Sequence, residues 1–497
     1  MVTAEADAPH VKSFRDPAGG VFRHQGRVLR TVKPAFVPEF ESFLATRVAR
    51  EGIDSGRIPK TWRLGPTESA GFTREPEAIF EHERVPFPSY PYEWPAEMLH
   101  AAAELTLDLA SSALEEGFGI KDATPYNVLF RGSAPVFVDL LSFERREPLD
   151  PTWMAYGQFV RTFLLPLAAH KYFGMAPGEV LAAHRDGLEP ETVYQWLGWW
   201  RRLNPPLLGL VSLPRWMARG GSGNGRRRAD LYHPKRAGSA EQARFILQGL
   251  LRSCRRHLRA LSPGTPKQSA WTDYLGHKSL YSAQQLSQKE GFIKQALESG
   301  SAFARGRSHL LGGTHGGSRQ TVLDIGANEG HFSFLAARAG ASVVAIDSDP
   351  AVAGKIWRTA GDLDVLPLVV NLARPTPSIG WRNRECDSFL ERASPQASGG
   401  FDMVLMLAVL HHLLVSERIP LEDVLKLASE LTRGYAVIEF VAPEDPMFQQ
   451  IVRGRERLHG DLTVDRFEQA ARAHFDVVRA QQIDGLNRWL YLLRRRN

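Results

Sequence analysis

Cysteine is nearly absent. The two residues of this type, Cys254 and Cys386, stand far apart in a chain of 497. That excludes a disulfide framework and a cysteine-based zinc site. A reducing compartment suits such a chain, and the cytoplasm is the expected location. Long apolar runs are missing too. No stretch of about 18 apolar residues occurs, so no membrane span is expected. The opening MVTAEADAPHVK carries acidic residues and no apolar core, unlike a secretory signal. No segment repeats. Charge is close to balanced, with 61 basic against 55 acidic residues and a net of +6. This mild basicity favours an anionic partner without identifying one. Hydrophobic residues make up 43% and charged residues 23%, the composition of a globular chain with material for cores.

At roughly 150 residues per domain, the length accommodates three domains, or two and a linking segment. Residues 14–215 mix strand-like and helical patterns. The stretch RGGSGNGRRRADLYHPKRAGS reads as an exposed linker, and a basic helical pattern follows it over 240–260. Residues 216–270 are therefore assigned to a basic linker and helix, and residues 271–497 to a last domain. Strands and helices alternate through that domain. Apolar runs at 321–327, 342–347, 365–370, 401–407 and 435–441 read as strands, and Pro350 opens a helix at a favoured position. Two further runs, 475–483 and 488–493, are joined by so short a turn that they must pair antiparallel. The expected fold is α/β, a Rossmann-like parallel sheet with a terminal antiparallel hairpin.

The chemistry is carried by VLDIGANEG, residues 322–330. Asp324, Gly326 and Gly330 form an acidic-x-Gly-x-x-x-Gly pattern between a strand and a helix. Glycine lets a ligand approach the backbone, and N–H groups at the turn can meet it. The pattern resembles the first motif of class I S-adenosylmethionine (SAM)-dependent methyltransferases, over about residues 320–497. The resemblance implies SAM as cofactor, with Asp324, Gly326, Asn328 and Gly330 at its methionine end. A carboxylate can accept both hydroxyls of a ribose, and the family places one at the end of the second strand. Here that is Asp347, with Asp349 as a weaker candidate. Asn371 stands where the family often has an acid near the adenine. A nicotinamide or flavin domain needs G-x-G-x-x-G, and Asn328 and His331 occupy its second and third glycine positions. A turn that binds no ligand is the plain alternative.

After the fourth strand comes MLAVLHHLL, which in the resembled family lines the methyl-acceptor site. Either His411 or His412 can act as a general base, since imidazole titrates near neutral pH. The other reading is one packed and one solvated histidine. Adjacent residues on a helix diverge by about 100°, which argues against a shared metal. PTPSIGWRNRECDSF, LHHL, VIEFV and WTDYLGHKSLYS resemble the nodulation-type, NoeA-like methyltransferases of rhizobia, over about residues 271–475. That resemblance implies methyl transfer to an acceptor it leaves undefined. Tyr274 and Tyr281 are candidates to cover SAM or simply to pack on the sheet. A non-catalytic SAM sensor or scaffold remains the alternative from another class.

In the N-terminal part, KDATPYNVLF sets Asp122 and Asn127 five residues apart, and PVFVDL ends in Asp139. This resembles the catalytic loop and metal-binding Asp of protein-kinase-like and aminoglycoside-phosphotransferase-like folds. The resemblance implies an α+β kinase-like domain in which Asp122 positions an acceptor hydroxyl and Asn127 and Asp139 hold magnesium. Leu140 and Leu141 follow Asp139 without the usual glycine, and the Gly-rich loop is reduced to AGG at 18–20. Lys33 is the candidate for the nucleotide-gripping lysine. The domain is expected to be degenerate. A working phosphotransferase, and purely structural roles for these residues, are the alternatives.

Trp196, Trp199 and Trp200 precede Arg201 and Arg202. Such a cluster either packs in a core or rests peripherally on a membrane. Arg226, Arg227, Arg228, Lys235 and Arg236 attract phosphate or serve as solvated linker charge, and no nucleic-acid motif accompanies them.

Overall fold

A computed structural model describes residues 10–13, 15–69, 72, 78–220, 236–264, 281–310, 319–395, 400–454 and 460–496. Tyr274, Arg226, Arg227, Arg228 and Lys235 lie outside these residues. The chain divides into two compact units, residues 1–265 and 266–497.

The first unit opens with an antiparallel sheet. Its strands are β1 (His10–Ser13), β2 (Gly19–His24), β3 (Arg27–Val32), β4 (Thr61–Arg63) and β5 (Ala78–His82), in the order β1-β2-β3-β5-β4. The helix Ala96–Glu115 follows, apolar on most of its surface and largely buried. Two short antiparallel pairs come next. β6 (Phe118–Ile120) pairs with β9 (Phe143–Arg145), and β7 (Val128–Arg131) pairs with β8 (Ala134–Phe137). The rest is helical. This is the α+β organisation that the kinase-like resemblance implies, with Asp122 after β6 and Asp139 after β8. The helix Ala240–Ala260 packs on Ala96–Glu115 through Leu247, Leu251, Cys254 and Leu258. Arg255 also meets Asp108 at 2.5 Å. The expected assignment of this helix to a linker is therefore corrected. Its apolar stripe, legible at helical spacing, is buried within the first unit.

The second unit contains β10 (Thr321–Ile325), β11 (Ser342–Asp347), β12 (Val365–Val369), β13 (Phe401–Met406), β14 (Thr432–Val441), β15 (Phe475–Gln482) and β16 (Arg488–Arg495). They form one sheet in the order β12-β11-β10-β13-β14-β16-β15. The first five run parallel. β16 inserts antiparallel between β14 and β15. The central strands are buried on both faces, which is why each reads as a continuous apolar run rather than an alternation. The order reverses at β10, whose neighbours are β11 and β13. A crevice opens there beyond the carboxyl ends of the strands. Among the described residues, no helix is long and apolar enough to cross a membrane.

Candidate active site

A cavity of about 340 Å³ lies at that switch point. Its floor is the turn after β10. Gly326 and Ala327 both donate their N–H to the carbonyl of Ile346, at 2.9 and 3.0 Å, folding the turn over β11. Gly326 has φ +68°, and a Cβ there would meet Val409 Cγ2 at 2.3 Å. Asn328 also adopts a positive φ, +47°. Its backbone N–H donates to Asp347 Oδ2 at 3.0 Å, while its side-chain Oδ1 is buried without a partner. Asp347 Oδ1 accepts from the N–H of Asp349, also at 3.0 Å. The Asp347 carboxylate is thus clamped by one backbone donor on each oxygen. Burial raises its pKa, and the two donors oppose the rise.

Asp324 is buried behind the floor and accepts from Ser333 Oγ at 2.6 Å. Burial pushes its carboxyl up to about 7 against the favourable hydrogen bond and the charge of Lys289. Asn371 reaches the cavity after β12 and closes a local turn, its Oδ1 accepting from Ala373 at 2.9 Å.

Asp324, Gly326, Asn328, Asp347, Asn371 and His412 therefore converge on one cavity. Two expected site residues do not line it. Gly330, at φ +81°, starts the helix His331–Arg338, and a Cβ there would press on Ile356 and Phe334 at 3.0 Å. It is required for packing and the helix entry. His411 is buried with Nδ1 unpartnered. Burial, His412, Arg488 and Lys289 hold its pKa well below the usual value, so it stays neutral. Neighbours on a helix turn point apart, and here His412 takes the cavity while His411 faces the interior. Before them Ala408 holds φ +54°, a strained conformation for a non-glycine residue at the cavity wall.

The helix Ala283–Leu310, with Tyr281 just before it, supplies the opposite wall; Tyr281 was a candidate in the sequence and Lys289 was not. Lys289 is buried and donates to Glu439 Oε2 at 2.6 Å. Tyr281 donates to Glu439 Oε1 and accepts from Arg488 Nη1. Arg488 grips Asp445 through Nε and Nη2 at 2.8 and 3.0 Å. Burial alone would raise the pKa of Glu439, but Lys289 and Arg488 hold it below the usual range. Two cations and two anions thus form a neutral, dry network behind Tyr281 and Lys289, both of which face the cavity. A signal was present: Lys289 sits in an apolar stripe with Leu286, Ile293, Ala296 and Leu297, where an ammonium needs a buried partner. Next to it, His331 lines the cavity with Nε2 bonded to Glu290 Oε1 at 2.9 Å.

The kinase-like cluster of the first unit is bonded to itself. Asn127 Nδ2 donates to the Asp122 carbonyl at 2.9 Å. Ser142 Oγ donates to Asp139 Oδ2 at 2.5 Å, and Arg30 Nη1 meets Asp139 Oδ1 at 3.2 Å. Arg30 Nε donates to His82, which burial and Arg30 hold neutral at a pKa of about 3. Lys33 is exposed just past β3. The basic group facing Asp139 is Arg30, so the expectation for Lys33 is corrected. Lys33 falls after the last paired residue of the strand and cannot share its inward face.

A family model described as a methyltransferase domain matches residues 296–489. Nodulation protein NoeA of Rhizobium meliloti (strain 1021) is 30% identical over 488 residues, covering 97% of this chain and 95% of that protein. Among solved structures, the N-methyltransferase NodS from Bradyrhizobium japonicum WM9, in complex with S-adenosyl-L-homocysteine (SAH), is 14% identical. It matches 43% of this chain and 88% of its own, with a TM-score of 0.29. The bifunctional kinase-methyltransferase WbdD is 19% identical, matching 41% of this chain at a TM-score of 0.28, and the chain spans about two fifths of it, 39%. The sheet order, the glycine-floored cavity and the matching domain define a class I SAM-dependent methyltransferase, with SAM as its cofactor. The chain belongs to the family of nodulation protein NoeA.

Proposed function

We propose that the cavity holds SAM with its ribose on Asp347, its adenine beside Asn371 and its methionine end over Gly326 and Asn328. The observation that carries this is the clamped carboxylate of Asp347 beside the orphaned Oδ1 of Asn328. A diol can bridge the two Asp347 oxygens, and an ammonium can supply the donor that Asn328 lacks. Both features fit the cofactor. Bound SAM supplies a methyl group already activated on its sulfonium.

The protein then has to orient an acceptor in line and exclude water. The apolar wall of Phe332, Leu407 and Leu413 serves the second task. We propose that the acceptor presents a hydroxyl or amine whose proton is taken by His331. Glu290, as a carboxylate, accepts from Nε2–H, which leaves the lone pair on Nδ1 free. His412 is the second imidazole of the cavity. The relative is named a nodulation protein, and that context is carried to this chain as part of the proposal. A cytoplasmic location belongs to it as well, in keeping with two free cysteines.

For the first unit we propose a role in holding the acceptor rather than phosphotransfer, because the Arg30 guanidinium stands 3.2 Å from Asp139, a fixed cation where a magnesium ion would have to bind. Magnesium-dependent ATP binding by the full chain would reverse that assignment.

The test for the second unit is calorimetric titration of SAM and SAH, followed by incubation of acceptor pools with methyl-labelled SAM. Binding with label transfer and SAH formation is the expected result. Binding with no SAH from any pool would leave a SAM sensor instead. No binding would remove the assignment of the cavity.

A further inference from the structure

The C-terminal end of the first unit turns aromatic rings outward. Trp199 and Trp200 are 60% and 70% exposed, Trp216 is 40% exposed and Met217 77%. The expectation of core packing for this cluster therefore gives way to a surface. The rings meet one another or an arginine in small groups. Trp199 stacks on Trp200. Trp216 Nε1 donates to the Tyr194 hydroxyl at 3.2 Å, and the Arg202 guanidinium lies 4.0 Å over the Tyr194 ring. Arg201 sits 5.8 Å from the ring of Phe173, whose edge meets Trp196 at 5.9 Å. Exposed rings and guanidinium groups thus lie close together along residues 194–217.

The charge on this stretch has a single sign. Over residues 197–217 the charged residues are Arg201, Arg202 and Arg215, with no lysine and no acidic residue, in a chain whose total charge is nearly balanced. A protein partner is normally met by an aromatic centre with a rim of mixed sign. Arginines beside the exposed rings complement a continuous negative sheet. Indole rings carry an apolar body and one N–H donor, the combination that settles at the boundary between headgroups and acyl chains.

We propose that this face docks the protein on an anionic phospholipid bilayer. Trp199 and Trp200 enter the interface, and Arg201 and Arg215 lie among the headgroups. Each arginine near such a surface contributes about 1 kcal/mol, roughly a fivefold gain in partition.

The test is co-sedimentation of the full chain with vesicles of phosphatidylcholine alone and of phosphatidylcholine mixed with phosphatidylglycerol. Binding to the mixed vesicles, weakened by salt, is expected. The double substitution R201S/R215S should lower partition about 25-fold by the same arithmetic. W199S/W200S should lower it at least tenfold. SAH binding by both variants should equal the wild type, since these side chains are on the surface of the other unit; that readout separates lost docking from lost folding. Absence of vesicle binding, or variants that sediment as well as wild type, overturns the proposal. Self-association that both double substitutions abolish, with no vesicle binding, assigns the face to a second copy of the chain and overturns it equally.

Discussion

Asp347→Ala tests the cofactor assignment at the group that carries it. In the folded chain the two carboxylate oxygens each take one backbone N–H, from Asn328 and Asp349, at 3.0 Å. Each keeps a further lone pair for a ribose hydroxyl. Hydrogen bonds to a charged group contribute about 1.5–3 kcal/mol each. Because Asp347 is only half-buried, the lower value is the appropriate one, giving about 3 kcal/mol for the pair. That is a loss on the order of a hundredfold in SAH affinity. Calorimetry measures it directly. The decisive comparison uses a ribose-deoxygenated SAH analogue in a double-mutant cycle. Wild type should bind the analogue about as weakly as Asp347→Ala binds SAH, and the substitution should add little to the analogue's loss. Asp347→Asn should fall between, because its amide turns an N–H towards a backbone donor. SAH binding by Asp347→Ala within threefold of wild type, or equal losses for SAH and the analogue, refutes the ribose role.

Three other outcomes are expected. Asp324 has a folded pKa of about 7 against an ordinary value of 3.8. The folded chain holds that proton longer than the unfolded one, so stability falls as pH rises between about 4 and 7 and levels off above, by at most about 4 kcal/mol. Urea midpoints at pH 5 and 8 should show the fall, and Asp324→Asn should flatten it. Glu439→Ala leaves Lys289 as an uncompensated buried cation, while Arg488 keeps Asp445, and should cost about 3–5 kcal/mol in urea unfolding. Adding Lys289→Met should recover part of that loss rather than add to it. With an acceptor in hand, His331→Ala should lower kcat by about 10²- to 10⁴-fold, and Glu290→Gln, which no longer fixes Nε2–H as the donor, should lower it as well. If His412→Ala has the larger effect, His412 is the base.

The parallel strands were legible because each is a local pattern. TVLDI, SVVAID and FDMVLM are buried on both faces, and their apolar runs say so without reference to any neighbour. The terminal hairpin was legible for the same reason, since a short turn forces antiparallel pairing. What could not be read was where the hairpin goes. β16 pairs with β14, bringing Arg488 opposite Val441 and close to Glu439. No local rule selects that insertion, so the network it builds is invisible in the sequence. Lys289 and Glu439 are 150 positions apart.

The same distinction explains the site. Asp324, Gly326, Asn328 and Asp347 could be grouped from the sequence because a turn and the tip of the next strand are fixed by nearby residues, and they line one cavity. Gly330 and His411 were misplaced because a motif names residue types and not directions. A glycine with φ +81° can serve a ligand or a helix entry, and only the presence of Ile356 and Phe334 against its Cβ position decides for the second. His331 was passed over for the opposite reason. It was read only as a position where a dinucleotide-binding glycine is missing, and its partner Glu290 lies 41 residues earlier on another helix. The tryptophans make the complementary case. WW beside RR fits a core or a surface equally well, and burial is set by everything else the chain does. The parts of this protein proposed to hold the cofactor are thus local in sequence. The parts that would choose the acceptor and the place of action are assembled over long range, so the cofactor could be named before the structure and the acceptor could not.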